Sequence, residues 1–141
     1  MNTHKIELYK KTQLETEDQV ALILKLYDRA IYHLEKGKSE IGEKRYEEKN
    51  VSLTKAKEIV LELLLSLDEE KGGAVAISLS QLYNFVIREI LEANANLNCK
   101  AIDNSVKILS ELRESWNSIN SIPETMVGQD GDAMIAFNVS G

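Results

Sequence analysis

The 141-residue chain has little of what staples or breaks a small protein: one cysteine, one proline and seven glycines. Cys99 stands alone, so an internal disulfide is impossible and a reducing compartment is the simplest home. Proline and glycine this sparse argue against a many-turned β fold and lean towards helix. No run of about 18 consecutive apolar residues occurs, and the N-terminus MNTHKIELYKKTQLETEDQ has no apolar signal core, so neither membrane insertion nor secretion is expected. A basic excess is missing as well. The formal net charge is -6; residues 1 to 50 balance their charges and the acidic excess lies after them. Without a basic stripe the chain lacks the electrostatic footprint that nucleic-acid phosphates require. A cytoplasmic protein with no nucleic-acid partner is the expectation.

What is present is helical periodicity. Val20, Ile23, Leu24, Tyr27, Ile31 and Leu34 repeat at three- and four-residue intervals, which predicts an amphipathic helix from Glu17 to about Lys36. Thr16 would cap it, Glu17 and Asp18 would suit its first turn, and Gly37 would end it. A charged stretch, KGKSEIGEKRYEEKN, must then contain a chain reversal. Leu53, Ala56, Val60, Leu63 and Leu67 mark a second helix over Glu47–Leu67. Val75, Leu79, Tyr83, Val86, Ile90 and Leu97 mark a third over Ala74–Leu97, and Ile102, Val106, Leu109, Leu112 and Trp116 a fourth over Ala101–Asn120. Short connections make consecutive helices antiparallel, so the fold class predicted is all-α, an up-down four-helix bundle. Residues 1–120 would form one domain, with 1–15 as a docking arm or short helix. Residues 121–141 follow the only proline without helical period and are expected to be a mobile tail, in which AMIAFNV is an apolar patch able to dock.

Chemistry is poorly provided for. Catalysis needs converging ionisable groups, yet His4 lies in the arm, His33 near the end of the first helix, and neither follows a glutamate at the spacing of a di-iron bundle. Cys99 has no histidine beside it in sequence. Gly72-Gly73 lies in no phosphate-loop motif and reads as one helix stopping and another starting. No catalytic residue, metal or cofactor is expected.

Surface is what remains. At 100° per residue, Leu22 and Leu26 fall off the stripe through Tyr27, Leu61 and Leu65 off that through Val60, and Ile77, Phe85 and Leu91 off that through Tyr83. Such a surplus either meets neighbouring helices on both sides or lines a groove for an amphipathic partner.

Several separated stretches then combine. Tyr9 and Thr16 are followed by Ile23 with Leu26-Tyr27-Asp28-Arg29-Ala30, by Ser66-Leu67-Asp68 with Gly72-Gly73, by Leu79 with Leu82-Tyr83, by Ala93-Asn94, and by Leu112-Arg113 with Trp116. In order and spacing over about residues 5 to 117 this resembles FliS, the family of flagellin-specific export chaperones. Two departures stand out: Glu-Asp-Gln follows Thr16 in place of Ala-Ser-Pro, and Arg29 replaces the family's usual glycine, which would narrow a groove there. The resemblance implies a cytoplasmic helical bundle without enzymatic activity. Its partner would be the disordered C-terminal region of flagellin, which it keeps from premature polymerisation and presents to the export gate of the flagellar type III secretion system. Contact residues expected on that basis are Tyr9 and Leu14 of the arm, Leu22, Leu26 and Arg29 of the first helix, and Tyr83, Phe85, Val86, Leu91 and Asn94 of the third. The alternative is a non-catalytic adaptor bundle that holds another flagellar or regulatory protein.

Overall fold

A computed structural model describes the backbone of residues 3–120 and the side chains of residues 18–118. The expectations for the tail, and for the side chains of Tyr9 and Leu14, lie outside the described residues. Four helices follow one another: α1 (Thr3–Gly42), α2 (Tyr46–Leu65), α3 (Glu69–Asn96) and α4 (Cys99–Asn120). No strand occurs among the described residues. α1 and α3 each pack against both α2 and α4, so the helices stand at the corners of a square in chain order. The all-α four-helix bundle is therefore the architecture observed. We call the end holding the α2–α3 connection and the C-terminus of α4 the lower end, and the opposite end the upper.

The apolar periodicity supplies the interior. Val20, Tyr27, Ala30 and Leu34 of α1, Leu53, Ala56, Val60 and Leu63 of α2, Ala76, Tyr83, Val86 and Ile90 of α3, and Ile102, Leu109 and Trp116 of α4 are buried in one cluster. Burial of a large aliphatic side chain stabilises by about 1.5 to 3 kcal/mol, so this stripe decides the fold. At its centre the Tyr27 and Tyr83 hydroxyls share a hydrogen bond of 2.5 Å across the diagonal of the square, and Trp116 Nε1 donates to the Tyr27 hydroxyl at 3.1 Å. Three helices thereby satisfy each other's buried polar atoms, as buried polar groups must be satisfied.

Helix ends differ from expectation in two places. α1 runs unbroken through Thr16, so Thr16 caps nothing; the preceding Lys, Glu, Gln and Leu residues are good helix formers and continue the turn. Nor does Gly37 end the helix. It is buried, and a Cβ there would stand 2.6 Å from Leu53 Cδ2, so glycine is needed for the close approach of α1 to α2 rather than for a stop. The reversal falls at Glu43–Arg45, where Lys44 takes a positive φ of 60°. The Gly72-Gly73 reading holds: Gly73 adopts φ 54°, ψ -132° inside α3, a conformation that glycine tolerates without a Cβ penalty. Before it, Asp68 caps a first turn by accepting from the Lys71 backbone N–H; after it the long helix begins at Ala74. Leu97, in left-handed conformation with φ 54°, closes α3 in the manner of a C-cap.

Candidate functional site

The seams between helices are identified by their polar crossings. Lys38 pairs with Asp103 at 2.7 Å and Arg113 with Asp28 at 2.5 Å, tying α1 to α4. Ser52 donates to buried Glu40 at 2.6 Å, tying α1 to α2. Asn104 donates to Glu89 at 3.1 Å, tying α3 to α4. Between α2 and α3 the crossing lies at the upper end: Lys49 Nζ donates to both the backbone carbonyl and Oδ1 of Asn94 at 2.9 Å, and Asn94 Nδ2 donates to Asn50 at 2.8 Å. Asn94 O belongs to the last turn of α3, where carbonyls lack helical partners and a cation suits the helix dipole.

These crossings orient each wheel. On α2, Asn50 marks the side towards α3, and Leu61 and Leu65 lie on that side at about 100° and 140° from Val60. On α3, Glu89 marks the side towards α4, so Ile77 and Leu91, about 120° and 80° from Tyr83 in the other sense, lie towards α2. Counting down the antiparallel pair from Asn50 and Asn94 brings Leu65 and Ile77 within about one turn of the same level. Leu61, Leu65, Ile77 and Leu91 are 40%, 75%, 48% and 49% exposed. Half-buried Leu64 and Ile87 pack against the core beneath them. The α2/α3 seam is thus an apolar track open to water, held shut by hydrogen bonds only at its upper end among the described residues.

Of the residues predicted for partner contact, Leu22 is exposed and Leu26 half-buried against the core, both on the α2 side of α1 and level with the lower end of the seam. Arg29 is exposed beside them. Leu91 lies in the α2/α3 seam and is exposed. Asn94 is half-buried and engaged by Lys49 and Asn50. Phe85 is exposed but leans to the α4 side of α3, apart from the seam. Tyr83 and Val86 are corrections: both are fully buried, because they lie on the same stripe as Leu79 and Ile90, and a partner on the surface cannot reach them. Leu61, Leu65 and Ile77 form the seam, although the sequence marks them only as surplus apolar positions. Their angle from the core stripe was the signal that could have chosen them.

Elsewhere the described residues offer little reactivity. No cluster of three His, Cys, Asp or Glu able to hold a metal is present among them. His33 Nδ1 is buried with no hydrogen-bond partner; burial first, then Lys55, Arg29 and Lys36, lower its pKa, so the ring is neutral at pH 7. Burial pushes the Tyr27 phenol up to about 12 against the smaller opposing effect of its hydrogen bonds to Tyr83 and Trp116. The Tyr83 phenol is likewise raised, first by burial and then by Tyr27. Neither is a poised acid or base at neutral pH. A cleft between α1 and α4, lined by Glu35, Lys38, Ser39, Asp103, Val106 and Lys107, is bridged by the Lys38–Asp103 pair. α3 is long and apolar enough to cross a membrane by length and composition alone, although its apolar stripe is spent on the bundle core.

Comparison with known proteins matches the chain over residues 1–123 to the family model described as flagellar protein FliS. The chain is 29% identical over 118 residues to the flagellar secretion chaperone FliS of Vibrio cholerae, covering 81% of this chain and 87% of that protein. It is 40% identical over 73 residues to the flagellar secretion chaperone FliS of Salmonella typhimurium, covering 51% and 54%. To the corresponding chaperone of Campylobacter jejuni it is 29% identical over 113 residues, covering 80% and 88%.

Proposed function

The chain belongs to the flagellar protein FliS family, a family of non-catalytic secretion chaperones, and from that premise we propose that it binds the disordered C-terminal region of flagellin in the cytoplasm, prevents its premature polymerisation, and aids its delivery to the flagellar type III secretion system. The observation that carries this reading is the open α2/α3 seam, where Leu61, Leu65, Ile77 and Leu91 remain exposed. A disordered partner spends part of its contact energy on its own ordering. It therefore needs a long apolar track, and each such side chain newly covered contributes roughly 1 kcal/mol or more. An amphipathic helix laid in the seam would use anchors at three- and four-residue spacing. Leu22 and Leu26 at the lower end extend the track towards α1, where Arg29 in place of the family's usual glycine would select a partner side chain able to pair with or avoid a cation.

Calorimetry with the last ~40 to 60 residues of a flagellin from the same organism tests the reading through the negative heat-capacity change that apolar burial produces. A one-to-one complex that Leu61→Glu weakens by about tenfold or more, equivalent to about 1.4 kcal/mol, supports it. Absence of binding to every flagellin of that organism would sink it, and retention of another flagellar protein in the presence of saturating flagellin peptide would favour the adaptor reading.

A further inference from the structure

The middle of the α2/α3 seam carries charge of the sign opposite to the chain's net charge of -6. Val60 and Tyr83 mark the core stripes of α2 and α3, and on the helical wheel Lys57 and Arg88 lie about 60° and 140° round from them, each towards the seam. Lys57 is half-buried and Arg88 exposed. Counting down the antiparallel pair from Asn50 and Asn94 brings the two cations within about 1.5 Å of one level, about 10 Å below the Asn50–Asn94 bond. Their side chains form no ion pair or hydrogen bond with another of the described residues. No carboxylate shares their side between Asn50 and Leu65 on α2 or between Ile77 and Asn94 on α3. Glu89 accepts from Asn104 on the α4 side, Glu92 accepts from Asn96, and Glu58 and Glu62 lie about 160° from Val60 on the outward face of α2. We propose that Lys57 and Arg88 act as a sign filter in the seam: the amphipathic helix that docks there carries a carboxylate at their level, and a helix with a cation at that position is rejected. The proposal rests on the reading of the seam as a partner site and adds the chemical class of the segment it takes.

Charge and spacing both lead there. Packed helix axes stand about 8 to 10 Å apart, so a side chain lying in the groove between them is within reach of long cations on both walls, whose stems follow apolar surface while the heads stay in water. Two like charges at one level repel; a carboxylate between them is attracted to both, and a third cation adds to the repulsion. Arg88 can take both oxygens of a carboxylate in its planar fork, whereas Lys57 offers a point charge. The apolar side chains sit at matching intervals. Leu61 and Leu65 lie about 6 and 12 Å below the cations, and Leu91 about 4.5 Å above them. A helix in the seam therefore presents its acid with apolar anchors three to four residues away on either side. Covering those anchors supplies the affinity. The cations decide which helix is accepted and make its capture sensitive to salt, as charges at the rim of an interface do.

The test titrates the full chain into fluorescent amphipathic helical peptides that differ only at a central Glu, Gln or Lys, with leucines four and seven residues to either side, so that both binding directions present the same anchors. Anisotropy is read at about 50 mM and about 500 mM salt. At low salt the Glu peptide should bind about tenfold or more tighter than the Lys peptide, with the Gln peptide between them. That preference should shrink severalfold at high salt and vanish in Lys57→Gln with Arg88→Gln, while Lys57→Glu with Arg88→Glu should reverse it. Circular dichroism melts matching the unmodified chain are expected for both variants, because neither position belongs to the buried core. Absence of binding by all three peptides, equal affinities, or a preference that survives Lys57→Gln with Arg88→Gln would overturn the proposal. So would a mass that rises with chain concentration and is restored to one chain by Leu61→Glu, since a second copy would then fill the seam. The last ~40 to 60 residues of a flagellin from the same organism, large enough to show apolar burial calorimetrically, separate the two claims. If they bind the unmodified chain and the Lys57→Gln, Arg88→Gln variant equally, the sign filter falls and the flagellin reading stands. If they bind neither while the Glu peptide keeps its dependence on the two cations, the flagellin reading falls and the filter stands.

Discussion

The two halves of the α2/α3 seam are built from the same pair of helices and solve different problems. At the upper end Lys49, Asn50 and Asn94 hold α2 to α3 through hydrogen bonds that include the end of α3. At the lower end Leu61, Leu65 and Ile77 face the same groove with no polar crossing among the described residues and remain in water. Hydrogen bonds fix register and are costly to leave unmade once buried. Exposed apolar side chains fix nothing, and they lower the free energy only when something covers them. The upper half therefore sets the geometry, and the lower half offers area to a ligand.

The sharpest way to break that comparison is a pair of adjacent substitutions. Val60 is fully buried and Leu61 is 40% exposed. Val60→Glu would place an unpaired carboxylate in the core and should cost about 4 kcal/mol or more, enough to unfold a domain of marginal stability. Leu61→Glu should change stability by about 0.5 kcal/mol or less. Chemical denaturation followed by circular dichroism reads both. Equal loss in the two variants would place Leu61 in the core and close the seam.

The next largest effect concerns the buried phenols. Tyr27 holds its proton to about pH 12 in the folded chain, whereas an unfolded tyrosine ionises near pH 10. The unfolded state therefore releases the proton first as pH rises, and the stability present in full below pH 10 is lost between about pH 10 and 12, amounting to about 2 to 3 kcal/mol. Denaturant midpoints measured across that window should fall steadily, and Tyr27→Phe should lessen the slope without abolishing it because Tyr83 is raised too. A flat profile would mean that the two phenols reach water.

Much of this architecture was legible because the core stripe is regular: Val20, Tyr27 and Leu34, or Leu53, Val60 and Leu67, need only a period to be found. Ends were harder. Gly37 carries the same letter whether it stops a helix or lets two helices touch, and only the position of Leu53, sixteen residues away, decides between them. The contact set suffered from the same ambiguity. Sequence alone puts Tyr83 and Val86 at the partner surface because core and groove draw on the same residue types, and which side of α3 faces α2 depends on crossings such as Asn50–Asn94 that no single-helix wheel contains.

Asn94 offers a smaller and more discriminating effect. It was expected to touch the partner, and in the free chain it accepts from Lys49 and donates to Asn50. Asn94→Ala removes both side-chain bonds while leaving the carbonyl for Lys49, so stability should fall by about 1 to 2 kcal/mol. If the residue acts by holding α2 against α3, Asn50→Ala should reproduce part of that loss in thermal melts and share it non-additively with Asn94→Ala, as neighbours in one network do. Loss of flagellin-peptide affinity without loss of stability would instead make Asn94 a direct contact.

The smallest effect belongs to the α1/α4 side, where the same question can be put to charge. Arg113 meets Asp28 through two nitrogens, at 2.5 Å and 3.3 Å, with the two side chains 34% and 53% exposed. The guanidinium pKa is raised by that hydrogen bond and by the carboxylate's charge. Solvent screening at such exposure leaves an ion pair worth about 0 to 1 kcal/mol. Asp28→Asn keeps the shape and one acceptor, so it should cost less than about 1 kcal/mol at low ionic strength. Near 1 M salt, where screening acts over about 3 Å, the difference from the unmodified chain should largely vanish. A salt-insensitive loss of about 2 kcal/mol or more, outside the range for exposed pairs, would show that the pair fixes the register of α1 against α4, as Lys49 and Asn94 fix that of α2 against α3.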